Sequence, residues 1–395
     1  MKHAKSQMTG VSTTSRRACV SGRFVFEGVS FGYAYWEPED ATAPQPVIPN
    51  GATLSFVAPD KISLPSVISG EAKPATPVIL SEAKRSRKIF PSKAESECAS
   101  SNLSAMSSLS ALPGYGGTRP LVLVHGFAQS AKSWEPVVAG LVPERPVWAF
   151  ELMGHGSSDC PTAGEAYDLD FQGRALLAFL EAVVQGDTPL PPAALESPWN
   201  PSTTLDTTSR KFALVGYSMG GRVVLSAMAY TQRFAQVVSD VVLESAGLGA
   251  SSPEARTEAA RKDAFHVAKL REEGLEAFFD YWEALPLFAS QKQLSHAAQQ
   301  AIRAERLAHD PQALAATFER AGQHCMPLRQ EIYQRLQALR SCGVNLTYLV
   351  GEKDSKYLTL AHEASQAIEL PITIVPDCGH NVHAELVLGC PPKLD

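Results

Sequence analysis

The residues with the clearest chemistry are Gly216-Tyr217-Ser218-Met219-Gly220-Gly221-Arg222, directly behind the apolar run Phe212 to Val215. An apolar strand that ends in Gly-x-Ser-x-Gly and leads into a helical pattern is the signature of a nucleophile elbow. The glycines are needed because the serine sits on a sharp, strained turn, where neighbouring side chains would collide with the adjoining strand and helix. Such a turn lifts the Ser218 hydroxyl out of a sheet. The helix behind it aims its free N–H groups at the reaction site.

A serine hydroxyl needs a base, and the base needs an orienting acid. The chain supplies both in the order Ser, acid, His. Asn345 to Gly351 reads as a buried strand, with Glu352-Lys353-Asp354 past its end. Pro371 to Val375 reads as the next strand, followed by Cys378-Gly379-His380, and a helical pattern from Tyr357 to Glu369 joins the two. Asp354 and His380 are therefore expected at the carboxyl ends of neighbouring strands, the edge where Ser218 emerges. Asp354 would fix the imidazole tautomer, leaving the other ring nitrogen to exchange a proton with Ser218. His383 is the competing histidine and ranks second, being further into the loop or the next helix.

An oxyanion site is expected from the run Pro120 to Val124, which ends in His125-Gly126-Phe127. The backbone N–H groups of Phe127 and Met219 are the expected donors. A further strand, Val147 to Leu152, ends in a similar tight turn, where His155 reads as structural. The elements that position these residues predict the α/β-hydrolase fold. That fold has a mostly parallel central sheet, helices on both faces and a helical lid.

Beyond the elbow, the chain resembles the 2-succinyl-6-hydroxy-2,4-cyclohexadiene-1-carboxylate synthases of menaquinone biosynthesis, a branch of that superfamily. The resemblance runs with interruptions from about Phe24 to Glu385. It is carried by GYSMGGR at 216–222, LESAGLG at 243–249, YWEALPLFASQ at 281–291, RAERLAHDP at 303–311, GEKDSKY at 351–357 and GHNVH at 379–383. It implies elimination of pyruvate from an enolpyruvyl cyclohexene dicarboxylate, the triad serving proton abstraction. A substrate with several carboxylates calls for cations. Arg222 and Arg306 fall where the family carries substrate-binding arginines. A third family arginine, at the lid's start, falls on Ala259, so Arg261 or Arg256 is expected to stand in, and Arg261 is the first choice. The resemblance also places Tyr217, Trp282 and Phe288 at the substrate chamber. No metal or organic cofactor is implied.

Composition agrees with a globular enzyme: 45% hydrophobic and 19% charged residues, with a net charge of −6 that argues against nucleic-acid binding. The seven cysteines form no CxxC or Cys/His cluster at metal spacing, and free thiols in a reducing cytoplasm are expected. No apolar window is long enough for a membrane span. The expectation is a cytoplasmic monomer or weak homo-oligomer.

The organisation read from the pattern is a disordered N-terminus (1–22), a first strand (23–38) and a low-complexity, disordered insert (39–117). Then come a hydrolase core with the elbow (118–251), a helical lid (252–335), and a second core segment with the acid and histidine loops (336–395). In the lid, Leu275, Phe278, Phe279 and Trp282 recur at helical spacing on one face, with Leu275 and Phe278 read as lid core. The insert holds a repeat, 67–73 against 78–84, followed by a basic cluster at 84–88, both read as without function. A polar, Pro-rich loop at 186–210 is read in the same way. Past Glu385, the helix that the family continues with is expected to be absent or replaced. Two alternatives to the lyase stay open: a serine esterase or C–C bond hydrolase, and an inactive remnant or binding protein.

Overall fold

In the central strands, successive side chains go to opposite faces, and both faces are buried. Leu121, Leu123, Ala213 and Val215 join one apolar cluster, while Val122, Val124, Phe212 and Leu214 join the other. This is what a parallel sheet covered by helices on both sides requires. The computed structural model describes residues 19–36, 53–55, 109–117, 119–141, 145–161, 164–185 and 211–389.

The strands are Cys19–Phe26 (β1), Val29–Trp36 (β2), Thr53–Ser55 (β3), Leu121–Val124 (β4), Val147–Phe150 (β5), Phe212–Tyr217 (β6), Val238–Glu244 (β7), Asn345–Gly351 (β8) and Ile372–Val375 (β9). They form one nine-stranded sheet in the order β3-β1-β2-β5-β4-β6-β7-β8-β9. Strands β5, β4, β6, β7, β8 and β9 run parallel, and β2 joins β5 antiparallel. The chain runs from β4 outward to β5 and then returns to β6 on the other side, so the loops after β4 and β6 diverge. That switch point is where open α/β sheets bind ligands.

The helices are Glu135–Val138 (α1), Leu169–Gln185 (α2), Met219–Ala227 (α3), Thr231–Val237 (α4), Pro253–Ala284 (α5), His296–Leu307 (α6), Pro311–Ala321 (α7), Arg329–Ser341 (α8), Ser355–Ile368 (α9) and Val382–Leu388 (α10). Helices α5 to α7 and the 3-10 turn Pro286–Gln293 form the lid. Ser252 caps α5 by accepting the Ala255 N–H, and the helix kinks at Gly274, whose φ is 80°. Phe278, Phe279, Leu314, Ala315 and Phe318 form the lid's own core, with Leu275 and Trp282 packed against it.

Four expectations of organisation change. The expected first strand is a hairpin: Glu27 and Gly28 both take positive φ (48° and 81°), the geometry of a two-residue turn, and β1 pairs back on β2. Strand β1 begins at Cys19, inside the segment expected to be disordered. Part of the expected insert belongs to the body of the protein. Thr53–Ser55 pairs with β1, and Leu109 and Tyr115 are fully buried in the cluster under the sheet. The lid ends earlier than residue 335, because Ile332, Tyr333, Leu336 and Leu339 of α8 pack into the main core with Leu346 and Tyr348 of β8. The repeat, the basic cluster, the loop at 186–210 and residues 390–395 lie outside the described residues.

Candidate active site

The carboxyl ends of the parallel strands stand in register: Val124 beside Gly216, Tyr217 beside Glu244, Glu244 beside Leu349 and Gly351 beside Val375. Every expected catalytic side chain leaves from this edge. Ser218 takes φ 49° and ψ −105° between β6 and α3. A Cβ at Gly216 would lie 2.8 Å from Gly221 Cα, and one at Gly220 would fall on the carbonyl oxygens of Val124 and His125. Those approaches explain the glycines of the elbow. The Ser218 N–H is held by the Glu244 carbonyl at 2.8 Å.

Ser218 Oγ lies 3.0 Å from His380 Nε2, and His380 Nδ1 lies 2.7 Å from Asp354 Oδ2. An ionised Asp354 can only accept, so Nδ1 carries the proton and Nε2 is left to accept from the serine. Asp354 is oriented by its second oxygen, which accepts the Tyr357 N–H at 3.2 Å and caps α9. His380 is almost fully buried, and its ring meets those of Tyr357, Tyr217 and Phe288 at 4.8, 5.4 and 5.8 Å.

The N–H groups of Phe127 and Met219 have no hydrogen-bond partner among the described residues; Met219 opens α3, where the first N–H groups are free. The loop carrying Phe127 is held from below. Gly126 N–H donates to Gln129 Oε1 and Ala128 N–H to His155 Nε2, while His155 Nδ1 donates to the Met153 carbonyl. Burial drives the His155 pKa well below its ordinary value, so this histidine is a neutral structural acceptor.

Arg222 and Arg306 are both buried, at 7% and 8% exposure, and they are differently partnered. Arg222 donates Nη1 to the Ala321 carbonyl at 2.7 Å and pairs with no carboxylate among the described residues. Burial lowers its pKa, against a smaller opposing pull from Asp263. Arg306 lies 2.8 Å from Glu283, donates to Gln291 Oε1 at 3.1 Å and sits over the Phe288 ring. The Trp282 ring meets that of Phe288 at 5.4 Å and that of Phe127 at 5.3 Å, both tilted, which brings the lid onto the loop that carries Phe127.

Arg261 is not part of this arrangement. Its side chain is 74% exposed and pairs with Glu258, one helical turn away. Arg256 instead turns inward, donating to the Met326 carbonyl at 2.8 Å with its Nε buried and unpartnered among the described residues. The reason is helical phase: Arg256 lies two turns before the buried Asp263, whereas Arg261 is about 200° round the helix from it.

His383, the second-ranked histidine, is held elsewhere. Its backbone N–H and Nδ1 both donate to Glu244 Oε1, and Tyr115 donates its hydroxyl to Glu244 Oε2 at 2.6 Å. Burial alone would raise the Glu244 carboxyl, but His383 and Tyr115 hold it below its ordinary value. This buried pair was not expected from the sequence. A second unforeseen contact is Glu385, which accepts from Gly379 N–H and from Ser290 of the lid, joining the lid to the histidine loop. No group of metal-ligating side chains occurs among the described residues.

The model of the Alpha/beta hydrolase family matches residues 121–386. A Bacillus subtilis (strain 168) protein named putative 2-succinyl-6-hydroxy-2,4-cyclohexadiene-1-carboxylate synthase is 29% identical over 274 residues, 69% of this chain and 87% of that protein. The 2-succinyl-6-hydroxy-2,4-cyclohexadiene-1-carboxylate synthase of Salmonella newport (strain SL254) is 29% identical over 278 residues, 70% of this chain and 93% of its own. Among solved structures, MenH from S. aureus superposes with a TM-score of 0.56 at 25% identity, over 68% of this chain and 89% of that one. The family match begins at the strand ahead of the Phe127 loop, ends within the helix behind His380 and takes in well over half of the sequence: the chain belongs to the alpha/beta hydrolase family.

Proposed function

We propose that the protein is a lyase that eliminates pyruvate from 2-succinyl-5-enolpyruvyl-6-hydroxy-3-cyclohexene-1-carboxylate, giving 2-succinyl-6-hydroxy-2,4-cyclohexadiene-1-carboxylate in menaquinone biosynthesis. The observation that carries the reading is a serine–histidine–aspartate relay beside Arg222, a buried guanidinium that forms no ion pair with a carboxylate among the described residues. A buried cation left unpaired is costly, and a carboxylate substrate would offset that cost. A neutral ester needs no such group. The relatives named for this reaction support the same choice.

In the mechanism, His380 takes the Ser218 proton while Asp354 supports the imidazolium. The serine oxygen then takes the acidic ring proton. The electron pair left behind forms a double bond to the adjacent ring carbon, the existing ring double bond shifts one position and expels the enolpyruvyl oxygen by breaking its C–O bond, and the departing enolate is protonated to pyruvate. The N–H groups of Phe127 and Met219 stabilise the oxyanion that develops on the substrate. Arg222 and Arg306 hold carboxylates, with Glu283 giving way as the substrate reaches Arg306. Tyr217, Trp282 and Phe288 wall the chamber. No described helix is long and apolar enough to cross a membrane.

The test is pyruvate release from the enolpyruvyl substrate by the wild type and Ser218→Ala. Rapid release, abolished in the variant, is expected. Full turnover by Ser218→Ala would overturn the mechanism. Rapid turnover of simple esters without pyruvate release would make the protein a serine hydrolase.

A further inference from the structure

Tyr357 lies outside the roles assigned so far, yet it touches three parts of the site. Its N–H holds Asp354, and its ring packs 4.8 Å from that of His380. Its phenolic oxygen accepts from Gln323 Nε2 at 3.0 Å, in the 3-10 turn where the lid ends. A tyrosine hydroxyl can accept and donate at once. This one only accepts: its own hydrogen has no acceptor among the described residues, although the side chain is 4% exposed.

The surroundings say what that hydrogen would meet. Ala321, whose carbonyl holds Arg222 Nη1, is two residues before Gln323, whose amide holds the Tyr357 hydroxyl. One short segment thus fixes the guanidinium and the phenol on the same wall. A cation and a free O–H donor held side by side, beside the catalytic imidazole, are matched by the two oxygens of one carboxylate.

We propose that the Tyr357 hydroxyl is a substrate-binding donor that shares with Arg222 a single carboxylate of the substrate, and so sets which acid the site accepts. The assignment deepens the lyase reading and rests on it for the identity of the substrate. Gln323 is the positioning residue: by filling the acceptor side of the phenol, it turns the O–H toward the chamber.

Tyr357→Phe keeps the ring against His380 and removes only the donor. Loss of one hydrogen bond to a charged group corresponds to about a tenfold change. The expected result is a KM for the enolpyruvyl substrate raised about tenfold with kcat changed less than threefold, at an unchanged Tm. Calorimetric binding of phthalate, a rigid ring dicarboxylate, should weaken by a similar factor. Unchanged KM and phthalate affinity would overturn the proposal. So would a fall in kcat alone, which would mark Tyr357 as packing for His380. If the wild type binds phthalate without releasing pyruvate, the lyase reading fails, and the phthalate ratio alone decides Tyr357. If it does neither, both are overturned.

Discussion

Asp354→Asn separates orientation from mere packing in the proposed relay. Asp354 divides its oxygens: Oδ1 accepts the Tyr357 N–H at 3.2 Å, and Oδ2 accepts His380 Nδ1–H at 2.7 Å. An asparagine that keeps the cap on α9 must use its carbonyl there and turn its NH2 toward Nδ1. A donor facing Nδ1 forces the imidazole hydrogen onto Nε2, which then donates to Ser218 instead of accepting from it. The base is lost without loss of the fold. The charge term can be sized as well. Opposite charges about 4 Å apart at an effective dielectric of about 20 interact by about 4 kcal/mol. That stabilises the imidazolium formed in the proposed proton transfer and, where that step sets the rate, is worth about a thousandfold. With the tautomer penalty added, kcat should fall by about 10³ to 10⁴. Pyruvate release coupled to NADH oxidation reads the rate, and thermal denaturation checks the fold. A variant of normal Tm with kcat within tenfold of the wild type would refute both the tautomer argument and the role of Asp354.

Two further outcomes follow from the same geometry. Arg222→Lys keeps the charge but loses the planar fork, and should raise KM about tenfold or more, whereas Arg261→Ala, on the solvent side of α5, should leave KM and kcat within twofold; the reverse ranking in steady-state kinetics would undo the substrate-site assignment. Acid should destabilise the fold well above the carboxylate range. Burial lowers the His125 pKa to about 4 and that of His155 well below the ordinary 6.5, so the unfolded chain binds protons there that the native state refuses. Their contribution is complete above pH 6.5 and is lost as the pH falls below it. Across 6.5 to 5.5 the two imidazoles should remove about 2 kcal/mol. Glu305 and Glu385, whose carboxyls burial raises, act in the opposite sense as the pH falls toward their ordinary range. Urea unfolding at both pH values measures the difference, and a pH-independent midpoint would contradict it.

Ser218, Asp354 and His380 were legible because each follows an apolar run at a fixed short distance, and strand ends are what the pattern marks best. The hairpin was missed, although a signal of another kind marks it. Phe24 and Phe26 share one parity, Phe31 and Tyr33 the other, and Glu27-Gly28 lies where the parity changes. Read as a single alternating run, the segment conceals that reversal. Arg256 could have been preferred to Arg261 by helical phase alone. The burial of Leu109 and Tyr115 was hidden because two apolar anchors do not offset the polar composition around them. Nothing local marks Glu244, Glu385 or Gln323 as tied to distant loops; their partners are fixed by the sheet order, which no window of sequence contains.

Glu244 shows why that order matters to the chemistry. Its carbonyl holds the elbow through Ser218 N–H, and its carboxylate holds His383, 139 residues further along the chain and three past His380. A fully buried carboxylate is costly alone, and here the cost is met by His383 and by Tyr115, brought in from the segment before β4. The turn that carries Ser218 and the loop that carries His380 are thus joined through one charged side chain. Asp354 joins the same histidine loop to α9 from above. Ser290 and Glu385 then connect that loop to the lid. The lid is thereby tied to the loop that carries His380, since Glu385 accepts from Ser290 and from Gly379 N–H, the residue before His380.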